Sequence, residues 1–170
     1  HDLELANTTT ISEHPGLAPR ICEITAVELA QLRAIERYPQ GRLESAQQSG
    51  KFPIPTLAEV LTNPKFNGKH LIVELKYGAE LAGLGLDLIA AVKTELGLAN
   101  GEERGIKITI ECFEFGVLRD AKKAIAGPID YVFLSAPDML PEGRTSLEED
   151  LLDEIAKEFE GLSVAIPMLW

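Results

Sequence analysis

Short apolar runs alternate along the chain with longer amphipathic stretches, and this alternation predicts the order of strands and helices. His70-Leu71-Ile72-Val73-Glu74-Leu75 is mostly apolar and rich in branched residues, which predicts a strand buried on both faces. Ile106 to Cys112 predicts a second strand. Ile129 to Leu134, entered from the turn pair Gly127-Pro128, predicts a third, and Leu162 to Ile166 a last extended segment. Helices are expected over Ala79 to Leu98, Gly116 to Ala126 and Ser146 to Phe159.

Three capping boxes punctuate the pattern: Thr25-Ala26-Val27-Glu28, Thr56-Leu57-Ala58-Glu59 and Ser146-Leu147-Glu148-Glu149. The first opens a helix expected to reach about Ile35, with Leu29 and Leu32 on its inner face. The second opens a short helix that Asn63-Pro64 ends. Tyr38 to Pro53, mixed in Pro, Gly, Gln and Ser, reads as loop. Strands alternating with helices mean an α/β fold with a parallel sheet and right-handed crossovers. An open doubly wound sheet and a (β/α)8 TIM barrel both satisfy that order. No internal repeat or composition break divides the 170 residues, so one domain is expected.

Composition narrows the function classes. An apolar fraction of 45% with 25% charged residues belongs to a chain that buries a core. The longest apolar-leaning stretch, Leu81 to Val92, is broken by Gly83, Gly85 and Asp87 and falls short of a membrane span. Sixteen Lys and Arg against 27 Asp and Glu give a net charge of −11, which argues against a nucleic-acid partner. An anionic substrate in such a field calls for a cation, and abundant carboxylates suit a hard metal. Cys22 and Cys112 form neither a disulfide framework nor a zinc pattern; they are read as buried free thiols or as a single bridge.

Glu74 and Lys76 carry the most chemistry. Two residues apart at the carboxyl end of the first strand, they share one face, and the carboxyl ends of α/β strands are where sites form. The plainer reading makes them a solvent ion pair. Thr109 and Glu111 repeat the pattern on the next strand, so Glu74 with Glu111 would frame an oxygen-rich site for Mg²⁺ or Ca²⁺. Alternatively Glu111 faces solvent or pairs with Lys107. His1-Asp2 could supply an acid and a base near neutral pH, or simply a frayed terminus. His14 reads as a surface loop residue and His70 as structural. No G-x-S-x-G, Walker loop or G-x-G-x-x-G in its proper context is present.

In combination, five segments resemble the glycerophosphodiester phosphodiesterase family. They are His1-Asp2-Leu3-Glu4-Leu5 with Asn7-Thr8-Thr9, Ile24-Thr25-Ala26-Val27-Glu28-Leu29, Ile54-Pro55-Thr56-Leu57-Ala58-Glu59-Val60-Leu61, Ile72-Val73-Glu74-Leu75-Lys76 and Ile110-Glu111-Cys112-Phe113. The likeness spans residues 1 to about 125 and extends loosely from Asp130 to Trp170. It implies a (β/α)8 barrel that hydrolyses small-molecule glycerophosphodiesters to glycerol 3-phosphate and an alcohol with Ca²⁺ or Mg²⁺. By the same resemblance His1 looks like the second of two catalytic histidines, Glu74 like the third metal carboxylate, and Lys76 like the basic residue near the phosphate.

The departures shape the expectation. Asn7 stands where the family often carries Arg, and Glu111 where Gln or Ser is more usual. The family's opening His-Arg pair and its next two acidic ligands have no counterpart in this sequence, and a full barrel takes roughly 200 residues or more. We therefore expect an internal piece of such an enzyme, lacking the first strands and the last one or two, that binds metal weakly and turns over slowly or not at all. A second expectation is a non-catalytic module derived from the same barrel, dimerising to cover its sheet edges. A third is an unrelated sugar-phosphate isomerase or aldolase, whose activity would survive chelation.

Overall fold

The computed structural model describes residues 3–99, 101–141 and 143–169, and its backbone contacts divide into two units, His1–Thr56 and Leu57–Trp170. In the first unit Thr25 and Glu28 form the expected capping box: the Glu28 amide donates to the Thr25 hydroxyl at 3.2 Å and the Thr25 amide to the Glu28 carboxylate at 2.7 Å. The helix that follows, α1 (Ala26–Leu29), is a single turn and stops well before Ile35. Thr10 diverts the chain there. Its hydroxyl accepts the Arg33 amide proton at 2.9 Å, and its own amide donates to the Arg33 carbonyl at 2.9 Å. Bridges from Thr9 to Ala34 and from Arg33 to Pro53 keep the segment extended. Leu5, Ile11 and Leu32 are buried in this unit, with Leu17, Ile24, Leu29 and Ile54 against them. One short helix, α2 (Leu43–Ala46), forms in the stretch expected to be loop.

The second unit opens with α3 (Leu57–Thr62), and the amide of its Ala58 donates to the Glu95 carboxylate at 3.0 Å. Asn63 takes over the following turn by accepting from the Lys65 amide at 3.0 Å. After β1 (His70–Glu74) the expected single helix divides into α4 (Gly78–Gly83) and α5 (Leu88–Ala99). Gly85, at a φ of +79°, takes the left-handed turn that separates them, and Asp87 accepts the Ala90 amide proton at 2.9 Å to start the second. The chain continues through β2 (Lys107–Cys112), α6 (Phe115–Ala124), β3 (Ile129–Ser135), α7 (Glu149–Glu158) and β4 (Gly161–Val164). Before α7 the expected Ser146 box does not form. The Ser146 hydroxyl donates to the Glu148 carboxylate at 3.0 Å, and Glu148 becomes the N-cap, its side chain accepting from no helix amide.

Among the described residues the sheet has four strands, all parallel, in the spatial order β1-β2-β3-β4. Ile110 and Cys112 from β2 and Tyr131 and Phe133 from β3 bury against Val92, Leu118, Ala121, Leu151 and Ile155, so α5, α6 and α7 lie on one face of the sheet. The rings of Phe115, Phe133 and Phe159 seal that layer, with edge-to-face contacts at 5.4 and 5.0 Å. A strand order that never reverses offers no topological switch point, and with these helices on one face the sheet is not doubly wound. The sheet corrects one expectation about β1. His70 and Ile72 are exposed, Ile72 by 62%: alternation turns them away from the face on which α5, α6 and α7 pack, and among the described residues β1 pairs with β2 alone. Among the described residues no helix is long and apolar enough to cross a membrane.

Candidate functional site

Side-chain alternation sorts the two faces of β2. With Ile108, Ile110 and Cys112 turned to the helices, Thr109 and Glu111 turn the other way. Register does the rest. Ile72 pairs with Thr109 and Glu74 with Glu111, so the two glutamates hold paired positions at the carboxyl ends of neighbouring strands, whose backbones run roughly 4.8 Å apart, and the charge of Glu74 acts on Glu111. Lower on the same face His70 Nε2 lies 2.8 Å from Thr109 Oγ1, which gives that histidine a structural partner.

Lys76 completes the cluster, its Nζ 3.1 Å from Glu74 Oε2. The pair is half-exposed. Glu111 is held above the ordinary carboxylate pKa, first by burial and then by the charge of Glu74, with Lys76 opposing. Glu74, Lys76 and Glu111, all singled out by sequence, are thus brought together. His1 lies outside the described residues.

The turn that carries Lys76 is built by residues that sequence reasoning missed. Tyr77 adopts a left-handed conformation, φ +57°, and Gly78 follows it into a space without room for a side chain, where a Cβ would sit 2.6 Å from Val117 Cγ1. Glu114 fastens both. One of its carboxylate oxygens accepts the Gly78 amide proton at 2.8 Å and the other that of Ala79 at 2.9 Å. Glu114 is itself the N-cap of α6 but makes no side-chain bond there; it caps α4 instead. A Glu directly ahead of a helix that follows a strand was the available signal. Beneath it the free thiol of Cys112 donates to the Leu75 carbonyl at 3.1 Å, and burial pushes its pKa up to about 12.

Could these residues hold the expected cation? Among the described residues no group of three or more His, Cys, Asp or Glu converges on a metal position. Two carboxylates do not make the cage of about six to eight oxygens that Ca²⁺ favours. Mg²⁺ asks for less, since one or two carboxylates can hold it when water and substrate phosphate supply the rest. The Lys76 ammonium already lies against Glu74 and neutralises one of the two carboxylates. No family model matches the chain, and a search of curated proteins finds no match.

Proposed function

We propose that this chain carries part of the site of a metal-assisted glycerophosphodiester phosphodiesterase, built on a portion of a (β/α)8 barrel. The observation that supports this reading best is the register of Glu74 with Glu111, with Lys76 beside them at the carboxyl ends of a parallel sheet wound in one direction. Glu74 and Glu111 would hold a divalent cation, which when bound supplies neutralising charge for the diester oxygens. Lys76 places a mobile point charge for a non-bridging phosphate oxygen. Glu114 and Gly78 fix the backbone from which it reaches. His1 is the proposed proton carrier, acting on the attacking or leaving oxygen.

Release of glycerol 3-phosphate from glycerophosphocholine tests the reading, measured with Mg²⁺ or Ca²⁺, with chelator, and in Glu74→Gln. Turnover should be slow, because the described residues supply only two carboxylates. It should also be lost both to chelator and to the substitution. Activity that survives chelation would sink the proposal. That same pair of carboxylates favours a second reading, a non-catalytic relative of the barrel, and cation binding without release of glycerol 3-phosphate would select it.

A further inference from the structure

We propose that the loop from Arg37 to Phe52 docks on membranes, seating three apolar side chains and three cations in the headgroup layer of an anionic bilayer. The proposal is independent of the carboxylate site. From Tyr38 to Pro53 every residue but Ala46 is exposed, so the loop buries no core of its own. It is nonetheless tied. The Ala34 amide donates to the Phe52 carbonyl and the Gly50 amide to the Ala34 carbonyl, each at 2.9 Å, and the Glu36 amide donates to Ser49 Oγ at 2.9 Å. These bonds bring the two ends together, as in a compact Ω-loop. Between them lie α2 and a turn in which the Tyr38 carbonyl accepts from the Gly41 and Arg42 amides.

A loop held this far into solvent is expected to be polar, yet Tyr38, Leu43 and Phe52 are 56%, 69% and 57% exposed. Its charge also runs against the rest of the chain. Between residues 37 and 52, Arg37, Arg42 and Lys51 are set against Glu44 alone, in a protein whose net charge is −11. The guanidiniums of Arg37 and Arg42 lie over the Tyr38 ring, 5.5 and 5.7 Å from its centroid. Arg42 also pairs with the nearly buried Glu36 at 3.5 Å while its own side chain stays 65% exposed, so its place is set and its remaining donors reach solvent. Exposed rings and an aliphatic side chain interleaved with cations match the bilayer interface: Tyr38, Leu43 and Phe52 enter the acyl boundary and the cations stay with lipid phosphates. A protein interface of standard size engages about 20–30 residues a side, more than this loop holds. Docking on lipid needs no such area. The acidic remainder of the chain is repelled by an anionic surface, which leaves this loop as the contact and makes docking depend on salt.

Co-sedimentation of the full chain with phosphatidylcholine vesicles, with and without phosphatidylserine, tests the proposal. The wild type should sediment with the anionic vesicles at low salt and be released at high salt. Leu43→Ser should weaken partition about tenfold and Lys51→Gln about fivefold. Both positions are exposed, so the fold should survive, and circular dichroism checks that it does. Depth is read from Leu43→Trp, whose emission should shift to the blue on docking and be quenched by brominated acyl chains, against the baseline that Trp170 sets in the wild type. Failure of the wild type to sediment with anionic vesicles overturns the proposal, and so does sedimentation that Leu43→Ser and Lys51→Gln leave unchanged. If the chain ignores vesicles but self-associates in light scattering, and Leu43→Ser abolishes that, the loop is an interface between copies and the membrane reading falls.

Discussion

Glu114 and Gly78 are joined across two strand ends, the carboxylate of one accepting the amide proton of the other at 2.8 Å, so the turn after β2 holds the turn after β1. The second oxygen of Glu114 holds the neighbouring Ala79 amide. Glu114→Ala orphans two helix-start amides and removes a charge-assisted cap. It should lower the unfolding free energy by about 1.5–3 kcal/mol in urea titrations. Glu114→Gln, with a single acceptor oxygen, should fall between, and amide exchange at Gly78 and Ala79 should quicken in both. A Glu114→Ala variant as stable as the wild type would show that the clamp contributes nothing.

Gly78 is required for space. Its φ is ordinary, but an added Cβ would meet Val117 Cγ1 at 2.6 Å and Cγ2 at 3.0 Å, on a residue already buried. Gly78→Ala should therefore cost about 1–3 kcal/mol through overpacking. The penalty should shrink when Val117→Ala is combined with it, so that the double variant loses less than the two single losses added. Strict additivity would place the cause elsewhere.

The strands were legible because each is an apolar run bounded by turn residues, and Glu74, Lys76 and Glu111 were legible because alternation sets their faces and adjacency sets their neighbourhood. Elements departed from expectation where another bond or backbone conformation outbid the expected local signal. Thr10 captured Arg33 and cut α1 to one turn. Ser146 bonded a carboxylate and left its helix uncapped. Gly85, which looked like an ordinary helix residue, took a positive φ and split a helix in two. Glu114 eluded the reading because its function depends on backbone 35 and 36 residues away. Local spacing cannot encode such a partner.

The proton balance of Glu111 gives a stability test with a definite sign. Its native pKa is raised from an ordinary value near 4.5, first by burial and next by Glu74. Between those two values the native state holds the proton more firmly than the unfolded chain. Stability contributed by the protonated form is therefore present below the ordinary value and is lost as pH rises through the raised one. Glu111→Gln, which cannot ionise, should be more stable than the wild type at pH 7, and the advantage should disappear near pH 4. Urea unfolding of both proteins at the two pH values measures this. An advantage of equal size at both would show that charge is not its source.

Cys112 offers the same logic at the alkaline end. Its side chain is fully buried, its thiol donates to Leu75, its sulfur accepts the Glu114 amide proton at 3.3 Å, and its pKa is pushed up to about 12. Thiolate is the reactive form, so native Cys112 should resist disulfide reagents at pH 8, while half-buried Cys22 reacts. One thiol per chain should react with the reagent in the native protein and two in urea. The unfolded chain ionises this thiol near 9 whereas the native state keeps its proton to about 12. Across that window the unfolded state binds fewer protons, so stability falls as pH rises. Cys112→Ala removes the titrating group and should flatten that decline, though the smaller side chain makes the variant less stable at neutral pH. An unchanged slope between pH 9 and 11 in Cys112→Ala would assign the alkaline loss to other groups, with Tyr131, whose pKa is also raised by burial and by Glu160, the next to substitute.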